Sequence, residues 1–170
     1  GSMHTACVEK RNGKLERMRN ATACEKAGLI AATIAKATNA DIVRFGSRAE
    51  FAQYDPNKNV FDLGKQLSNC NMGGTYINIA FNKINGKVYD RIILLSDNEA
   101  NSGTATSTAY KNYLRSVNVS PYVYCIDLAS YGTTPLKNDG KINYYYGYGY
   151  RMFDDIASKE FNPEMHIDKV

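Results

Sequence analysis

The feature that most constrains the fold is the run Arg91-Ile92-Ile93-Leu94-Leu95, the most strand-like stretch of the chain. An apolar run of this length, rich in β-branched residues, is typical of a strand buried on both faces of a sheet. Polar residues follow it at once, in Ser96-Asp97-Asn98-Glu99. Because sites in parallel sheets gather beyond the carboxyl ends of the strands, the sequence predicts a site at the end of this strand.

Helical and strand-like segments alternate along the rest of the chain. Their periodicity predicts helices over 21–37, 61–67, 76–84, 105–117 and 151–158, and strands over 41–45, 50–54, 88–95, 121–128 and 142–146. We expect Asn39 to end the first helix, Asn59 to cap the second, and Gly28 to allow close approach to a sheet. The alternation predicts a three-layer α/β fold, with a mainly parallel central sheet and helices on both faces.

Composition places the chain among ordinary globular proteins. Its 170 residues suit a single domain over 1–170, and 44% apolar and 22% charged residues exclude a disordered tail. The net charge of +4 is mildly basic, well short of a dedicated nucleic-acid binder. The longest apolar stretch, 27–35, is too short to span a bilayer, and no signal peptide opens the chain. We therefore expect a cytoplasmic protein with no membrane partner.

Cysteine and histidine offer little chemistry. The four cysteines, Cys7, Cys24, Cys70 and Cys125, form no C-x-x-C pair, and we interpret them as reduced packing residues. Two histidines are too few for a histidine-rich metal site.

Oxygen ligands are better represented. Thr75 lies in the loop Gly73-Gly74-Thr75, and Asp97 follows the buried strand. Ser2, in the opening Gly1-Ser2-Met3, would be a third oxygen donor. Hydroxyl and carboxylate oxygens suit Mg²⁺, Mn²⁺ or Ca²⁺ and are poor ligands for Zn²⁺. Thr75 has a second interpretation, as the N-cap of the helix that follows it.

At these residues the chain resembles a von Willebrand factor A domain. More narrowly, it is similar to the one at the carboxyl end of the Ro (TROVE) RNA-binding proteins. The family's metal-ion-dependent adhesion site combines an Asp-x-Ser-x-Ser loop, a threonine in a second loop and an aspartate after the fourth strand. Gly1-Ser2-Met3, Gly73-Gly74-Thr75 and Leu95-Ser96-Asp97-Asn98-Glu99 match the end of the first part, the second part and the third part in order.

The resemblance implies a role for each of these residues. Ser2 and Thr75 would bind the ion directly, and Asp97 would hold it, often through water. Gly74, Asn98 and Glu99 would surround the ligands rather than bind the ion. The remaining coordination position would be open to a carboxylate from a partner protein.

The resemblance also leaves a gap. The family's first strand, with its leading aspartate and first serine, would lie before Gly1. Either the sequence is a piece of a longer protein, or another polypeptide segment supplies that strand. A third interpretation is that Gly1-Ser2 is a cloning remnant before Met3.

Two further segments are candidate contacts for a partner or for RNA. Residues 9–19 hold five cations and two anions, with Lys10, Arg11, Lys14 and Arg17 as candidate phosphate contacts. The alternative is a solvated loop before the first helix. Residues 144–151 interleave tyrosine and glycine, with Tyr148, Tyr150 and Arg151 as candidate contacts for bases or a protein. The alternative is an edge strand with half of its tyrosines buried.

These observations predict a binding module rather than an enzyme. The leading hypothesis is a Mg²⁺-dependent domain that engages the acidic side chain of a protein partner. The alternative is an RNA-associated module of a Ro-like ribonucleoprotein. A metal-dependent hydrolase with Glu99 as general base is a third hypothesis, and it lacks a nucleophile or acid beside that residue.

Overall fold

The computed structural model describes residues 9–11, 14–16, 22–69, 71–97, 103–129, 134–137, 140–147 and 149–161. Within them the helices are α1 (Ala23–Thr38), α2 (Val60–Ser68), α3 (Ile77–Lys83), α4 (Gly103–Val117) and α5 (Tyr150–Phe161). The strands are β1 (Glu9–Arg11), β2 (Lys14–Glu16), β3 (Val43–Phe45), β4 (Ala49–Phe51), β5 (Arg91–Ser96), β6 (Tyr122–Asp127) and β7 (Ile142–Tyr146).

Three strands form a parallel sheet in the order β5-β6-β7. The central strand β6 has a partner on each side, and its residues 123–127 are all buried. By contrast β5, although equally apolar, is half-buried at Ile92, Ile93 and Leu95. This difference follows from pairing, because in the described sheet β5 pairs with β6 alone.

Helices pack on both faces of this sheet. Alternate side chains of a strand point to opposite faces, so Ile92 and Leu94 join one apolar cluster and Ile93 and Leu95 join another. The first cluster includes residues of α3 and α4, and the second includes residues of α1 and α5. This is the mixed α/β arrangement expected from the alternating pattern, whereas the complete three-layer von Willebrand A sheet stays a prediction.

Helix α1 has well-defined ends. The Thr22 side chain accepts a hydrogen bond from the Glu25 backbone N–H at 3.2 Å, and Glu25 accepts in return from the Thr22 backbone N–H at 2.7 Å. This capping box satisfies two backbone donors that a helix start leaves open. Asn39 ends the helix in the left-handed conformation, at φ 55°, as predicted.

Gly28 allows close packing against a helix, not against a sheet as expected. A Cβ at this position would lie 2.5 Å from the carbonyl oxygen of Gly64 in α2. Across the same contact, a Cβ on Gly64 would lie 3.1 Å from the Cα of Leu29. The two glycines therefore let α1 and α2 approach backbone to backbone.

Two further expectations from the sequence are wrong. Residues 9–11 and 14–16 do not belong to a solvated loop, since they form β1 and β2, which pair antiparallel with Lys10 opposite Leu15. Thr75 does not cap α3, because the N-cap residue is Tyr76 and no side chain caps the helix. By contrast, Asn59 caps α2 as predicted, accepting from the Asp62 backbone N–H at 2.9 Å.

Candidate functional site at the carboxyl end of β5

The loop Gly73-Gly74-Thr75, called the glycine loop below, is held against the turn between β3 and β4. The Ser47 backbone N–H donates to the Met72 carbonyl at 2.6 Å, and the Gly74 backbone N–H donates to the Ser47 hydroxyl at 3.3 Å. Gly73 has φ +81°, a conformation that glycine adopts without strain, and a Cβ there would lie 2.5 Å from Ser47 Oγ. These contacts fix the backbone that leads into Thr75.

Asp97, the aspartate predicted to hold the cation, is fully buried. Asp97 follows β5 and is 0% exposed, and its neighbour Ser96 is 1% exposed. The Ser96 carbonyl accepts from the Leu128 backbone N–H at 2.9 Å, which extends the β5–β6 pairing to the carboxyl ends of the two strands. Because a buried carboxylate is costly unless it is compensated, this position is chemically unusual for an aspartate.

Thr75 and the end of β5 lie at the same end of the molecule. Asp41 precedes β3, and its carboxylate accepts from Tyr89 Oη at 2.7 Å and from Lys87 Nζ at 3.2 Å, just before β5. The amino ends of β3 and β5 therefore lie together. The glycine loop packs beyond the carboxyl end of β3, and Thr75 and Ser96 line one cavity. This is the arrangement on which the predicted cation site depends.

A second buried carboxylate at this edge was missed by sequence reasoning. Asp127 ends β6, pairs in register with Ser96 and is 0% exposed. Its Oδ1 accepts from the Ala129 backbone N–H at 3.0 Å, which shapes the turn after the strand. The signal was available, because Asp127 follows a buried apolar run just as Asp97 does.

The side chains at this end of the sheet include oxygen donors that a hard cation could bind. A threonine hydroxyl and aspartate carboxylates are oxygen donors of the type that Mg²⁺ accepts, with water in the remaining positions. Within the described part of the chain, however, no three His, Cys, Asp or Glu side chains gather where they could hold a metal ion. The donor types fit Mg²⁺, and the described protein ligands are few.

Several predicted site residues lie outside the described residues, namely Ser2, Arg17, Asn98, Glu99 and Tyr148. For Lys10, Arg11, Lys14 and Tyr150 the structure describes the backbone, which lies in the β1–β2 hairpin and at the start of α5. Arg151 is exposed on α5. Their predicted contacts therefore stay predictions.

Some tyrosines of the segment 144–151 stabilise the fold. The Tyr144 hydroxyl donates to the Leu136 carbonyl at 2.6 Å and accepts from the Leu136 backbone N–H at 2.9 Å. The Tyr145 hydroxyl donates to the Asp155 carboxylate. Tyr146 is 57% exposed. Two of these tyrosines thus serve the fold, and Tyr146 presents its ring to solvent.

The described cysteines behave as packing residues. Cys24 and Cys125 are reduced, as expected, while Cys7 and Cys70 lie outside the described residues. Burial in the sheet raises the pKa of the Cys125 thiol to about 12. A thiol with so high a pKa is a poor nucleophile at neutral pH.

Comparison with known proteins identifies the fold. No protein-family profile matches the sequence, and no curated protein sequence matches it. The structure is similar to the crystal structure of the Ro (RSR) protein of Deinococcus radiodurans, with a TM-score of 0.70 and 16% sequence identity. The match covers 93% of this chain. The chain has the fold of part of a Ro protein.

The match extends over only part of the Ro protein. This chain spans 32% of the length of that Ro protein. The resemblance predicted from the two loops is confirmed at the level of fold. No helix in the described part of the chain is both long and apolar enough to cross a membrane.

Proposed function

We propose that this chain is a non-catalytic, RNA-associated module of a Ro-like protein. The observation that carries the proposal is the fold shared with the Ro (RSR) protein over 93% of the chain. The family resemblance implies an association with RNA, and residues 9–19 hold five cations and two anions. RNA phosphates would be attracted to these cations.

The hairpin β1–β2 is the proposed phosphate contact. Its register places Arg11 directly opposite Lys14, with Lys10 as the next residue of β1. Two cations at directly opposed positions destabilise an isolated hairpin, and a bound phosphate would relieve that repulsion. Among the described strands, β1 and β2 form a two-stranded sheet of their own, separate from the parallel sheet β5-β6-β7.

The test is binding of a fluorescein-labelled single-stranded RNA, followed by fluorescence anisotropy over a range of salt concentrations. We expect affinity to fall steeply with salt, and EDTA to have no effect. The double variant R11A/K14A is expected to bind more weakly and to reduce the salt slope by about 1 to 2. The matched control K111A/R115A removes one lysine and one arginine from the exposed surface of α4. Equal losses in the two double variants would contradict a specific role for the hairpin.

A second function is favoured by the burial of Asp97 at the end of β5. We propose that Mg²⁺ binds between Thr75 and Asp97 and presents an open position to a carboxylate of a protein partner. Asp127 lies at the same sheet edge and would add to the negative potential there. When bound, the ion would act as an electrostatic bridge between the two proteins.

Mg²⁺ binding is measured by isothermal titration calorimetry, with D97N as the test variant and D90N as its matched control. Asp97 is buried at the carboxyl end of β5, whereas Asp90 is exposed just before the amino end of the same strand. We expect D97N to abolish the binding heat and D90N to retain it. Loss of the heat in both variants, or in neither, would rule out Asp97 as a ligand.

A further inference from the structure

The strand β7 lies at one end of the parallel sheet. In the order β5-β6-β7 it pairs with β6 alone among the described strands. Its three central residues, 143–145, are half-buried, and Tyr146 is 57% exposed. An edge strand carries a row of backbone donors and acceptors that can pair with a further strand. We call the side of Ile142–Tyr146 that points away from β6 the β7 edge.

The hydrogen bonds to β6 determine which groups form the β7 edge. The Val123 N–H donates to the Lys141 carbonyl at 2.9 Å, and the Gly147 N–H donates to the Asp127 carbonyl at 2.8 Å. The odd-numbered residues of β7 therefore direct their backbone groups toward β6. Because this direction alternates along a strand, the backbone groups of the β7 edge belong to Ile142, Tyr144 and Tyr146.

The sequence of this segment lacks the usual protection of an edge strand. Proteins commonly place lysine or proline on such strands, because these residues oppose pairing with another chain. From Ile142 to Tyr150 the sequence contains neither a charged residue nor a proline. Tyrosine, which fills half of β7 and more, is itself favourable in strands. The β7 edge is therefore suited to accepting another strand.

The β7 edge is complementary to a second copy of itself. If two copies of β7 pair antiparallel about a two-fold axis at Tyr144, that residue pairs with its own equivalent, and Ile142 pairs with Tyr146. Each of the three outward residues in either copy then donates one hydrogen bond, six in all. In this register Lys141 falls opposite Gly147, so no cation lies opposite a cation.

The side chains fit the same register. Even-numbered residues share one face of the strand, so the exposed Tyr146 ring would lie beside Ile142 of the second copy. A cross-strand pair of an aromatic and a β-branched residue is favourable. The nearest cation of α5 is already compensated, because Lys159 Nζ lies 3.1 Å from the Asp155 carboxylate and donates to Asn143 Oδ1 at 3.2 Å. Bringing two copies together would therefore bury no unpaired charge of this group.

We propose that the β7 edge is a self-association surface, at which β7 of a second copy adds antiparallel and joins the two parallel sheets into one. This association is independent of RNA and Mg²⁺ binding. Because the two copies of β7 run in opposite directions, the carboxyl ends of their sheets point away from each other. Dimer formation would leave both copies of the candidate cation site accessible.

The first test is sedimentation velocity of the complete chain, without RNA and in the presence of EDTA. Five paired residues form a small interface, so we expect a weak dimer that appears between about 5 µM and 1 mM protein. RNA and divalent cations are absent from this experiment. Its result therefore stands apart from the outcome of the RNA and Mg²⁺ measurements.

The second test is amide hydrogen exchange followed by NMR over the same concentrations. We expect exchange at the Tyr144 and Tyr146 amides to slow at least about tenfold as the protein concentration rises. The Tyr145 and Gly147 amides face β6 and are expected to be unchanged. This alternation is specific to pairing at the β7 edge, because a dimer through another surface would not produce it.

Variants of one residue give a third test. Y146P removes an outward N–H without removing a bond to β6, and is expected to stay monomeric. Y146T keeps that N–H and the preference for a strand, and is expected to dimerise more weakly than the parent protein. The matched control F61A removes a 68% exposed aromatic ring from α2 and is expected to dimerise normally. Thermal melting reports whether each variant folds, and the exchange test needs no variant.

Three results would overturn the proposal. The first is a monomer at every concentration, with exchange at Tyr144 and Tyr146 that does not change. The second is slow exchange at both amides even in the most dilute sample, which would mean that the chain's own residues cover the β7 edge. The third is a dimer that forms equally well in folded Y146P, which would place the interface on another surface.

Discussion

At the scale of the residue, the position of Thr75 depends on a glycine that is distant from it in sequence. A Cβ on Gly46 would lie 2.3 Å from the Met72 carbonyl oxygen and 2.5 Å from the Met72 Cβ. These are main-chain and near-main-chain atoms, which cannot move aside as a flexible side-chain end can. Glycine at this turn therefore lets the loop that carries Gly73 and Thr75 dock on β3.

We predict that G46A destabilises the protein by about 1 to 3 kcal/mol, because the added methyl group forces the two backbones apart. The measurement is the free energy of unfolding from urea denaturation. The matched control is G149A, where a Cβ would meet no atom within 4 Å and φ is not in the left-handed region. That variant is expected to be neutral or slightly stabilised. Equal stability of G46A and the parent protein would contradict the close contact.

At the scale of the element, sequence periodicity located most helices and strands, because their signals are local. Helix α1 shows this clearly, since Thr22, Glu25 and Asn39 mark its ends by side-chain and backbone chemistry within a few residues. The hairpin β1–β2 was missed, because its charged residues carry no apolar alternation. The second interpretation of Thr75, as the N-cap of α3, is wrong, because the N-cap residue is Tyr76 and the helix begins at Ile77.

The candidate site was predictable only in part, for a related reason. A polar residue after a buried strand is a local signal, and it located Asp97. The convergence of Thr75 with that strand end depends on how β3, the glycine loop and β5 pack together, which no local pattern encodes.

At the scale of the whole molecule, one carboxylate ties α5 to the parallel sheet. Glu160 accepts from Arg91 Nε at 2.7 Å and from the Tyr124 hydroxyl at 2.8 Å, and Arg91 Nη2 forms a second contact with its other oxygen. Hydrogen bonding from Arg91 is the main cause of a lowered pKa for Glu160, and Tyr124 contributes in the same direction. Two strands and the last helix are thus joined at the amino end of the sheet, opposite the candidate cation site.

This network predicts how the stability of the whole chain depends on pH. A carboxyl whose pKa is lowered by folding binds protons more readily in the unfolded chain. It therefore stabilises the native state above the unfolded pKa of about 4.3, and the contribution is lost as the pH falls through the lower native pKa. Asp41, whose pKa is lowered chiefly by hydrogen bonding from Tyr89, acts in the same direction. We expect the free energy of unfolding to fall on acidification from pH 5 to about pH 3.

The variant E160Q separates the network from general acid effects. It is expected to cost about 1 kcal/mol at pH 7, a value reduced by the partial exposure of Arg91, and to lose less stability than the parent between pH 5 and about pH 3. The measurement is urea denaturation at a series of pH values. D154N removes an exposed carboxylate from the same helix and serves as the control. Parallel pH profiles for E160Q and the parent protein would show that Glu160 does not link α5 to the sheet, because a carboxylate held by Arg91 and Tyr124 must titrate with folding.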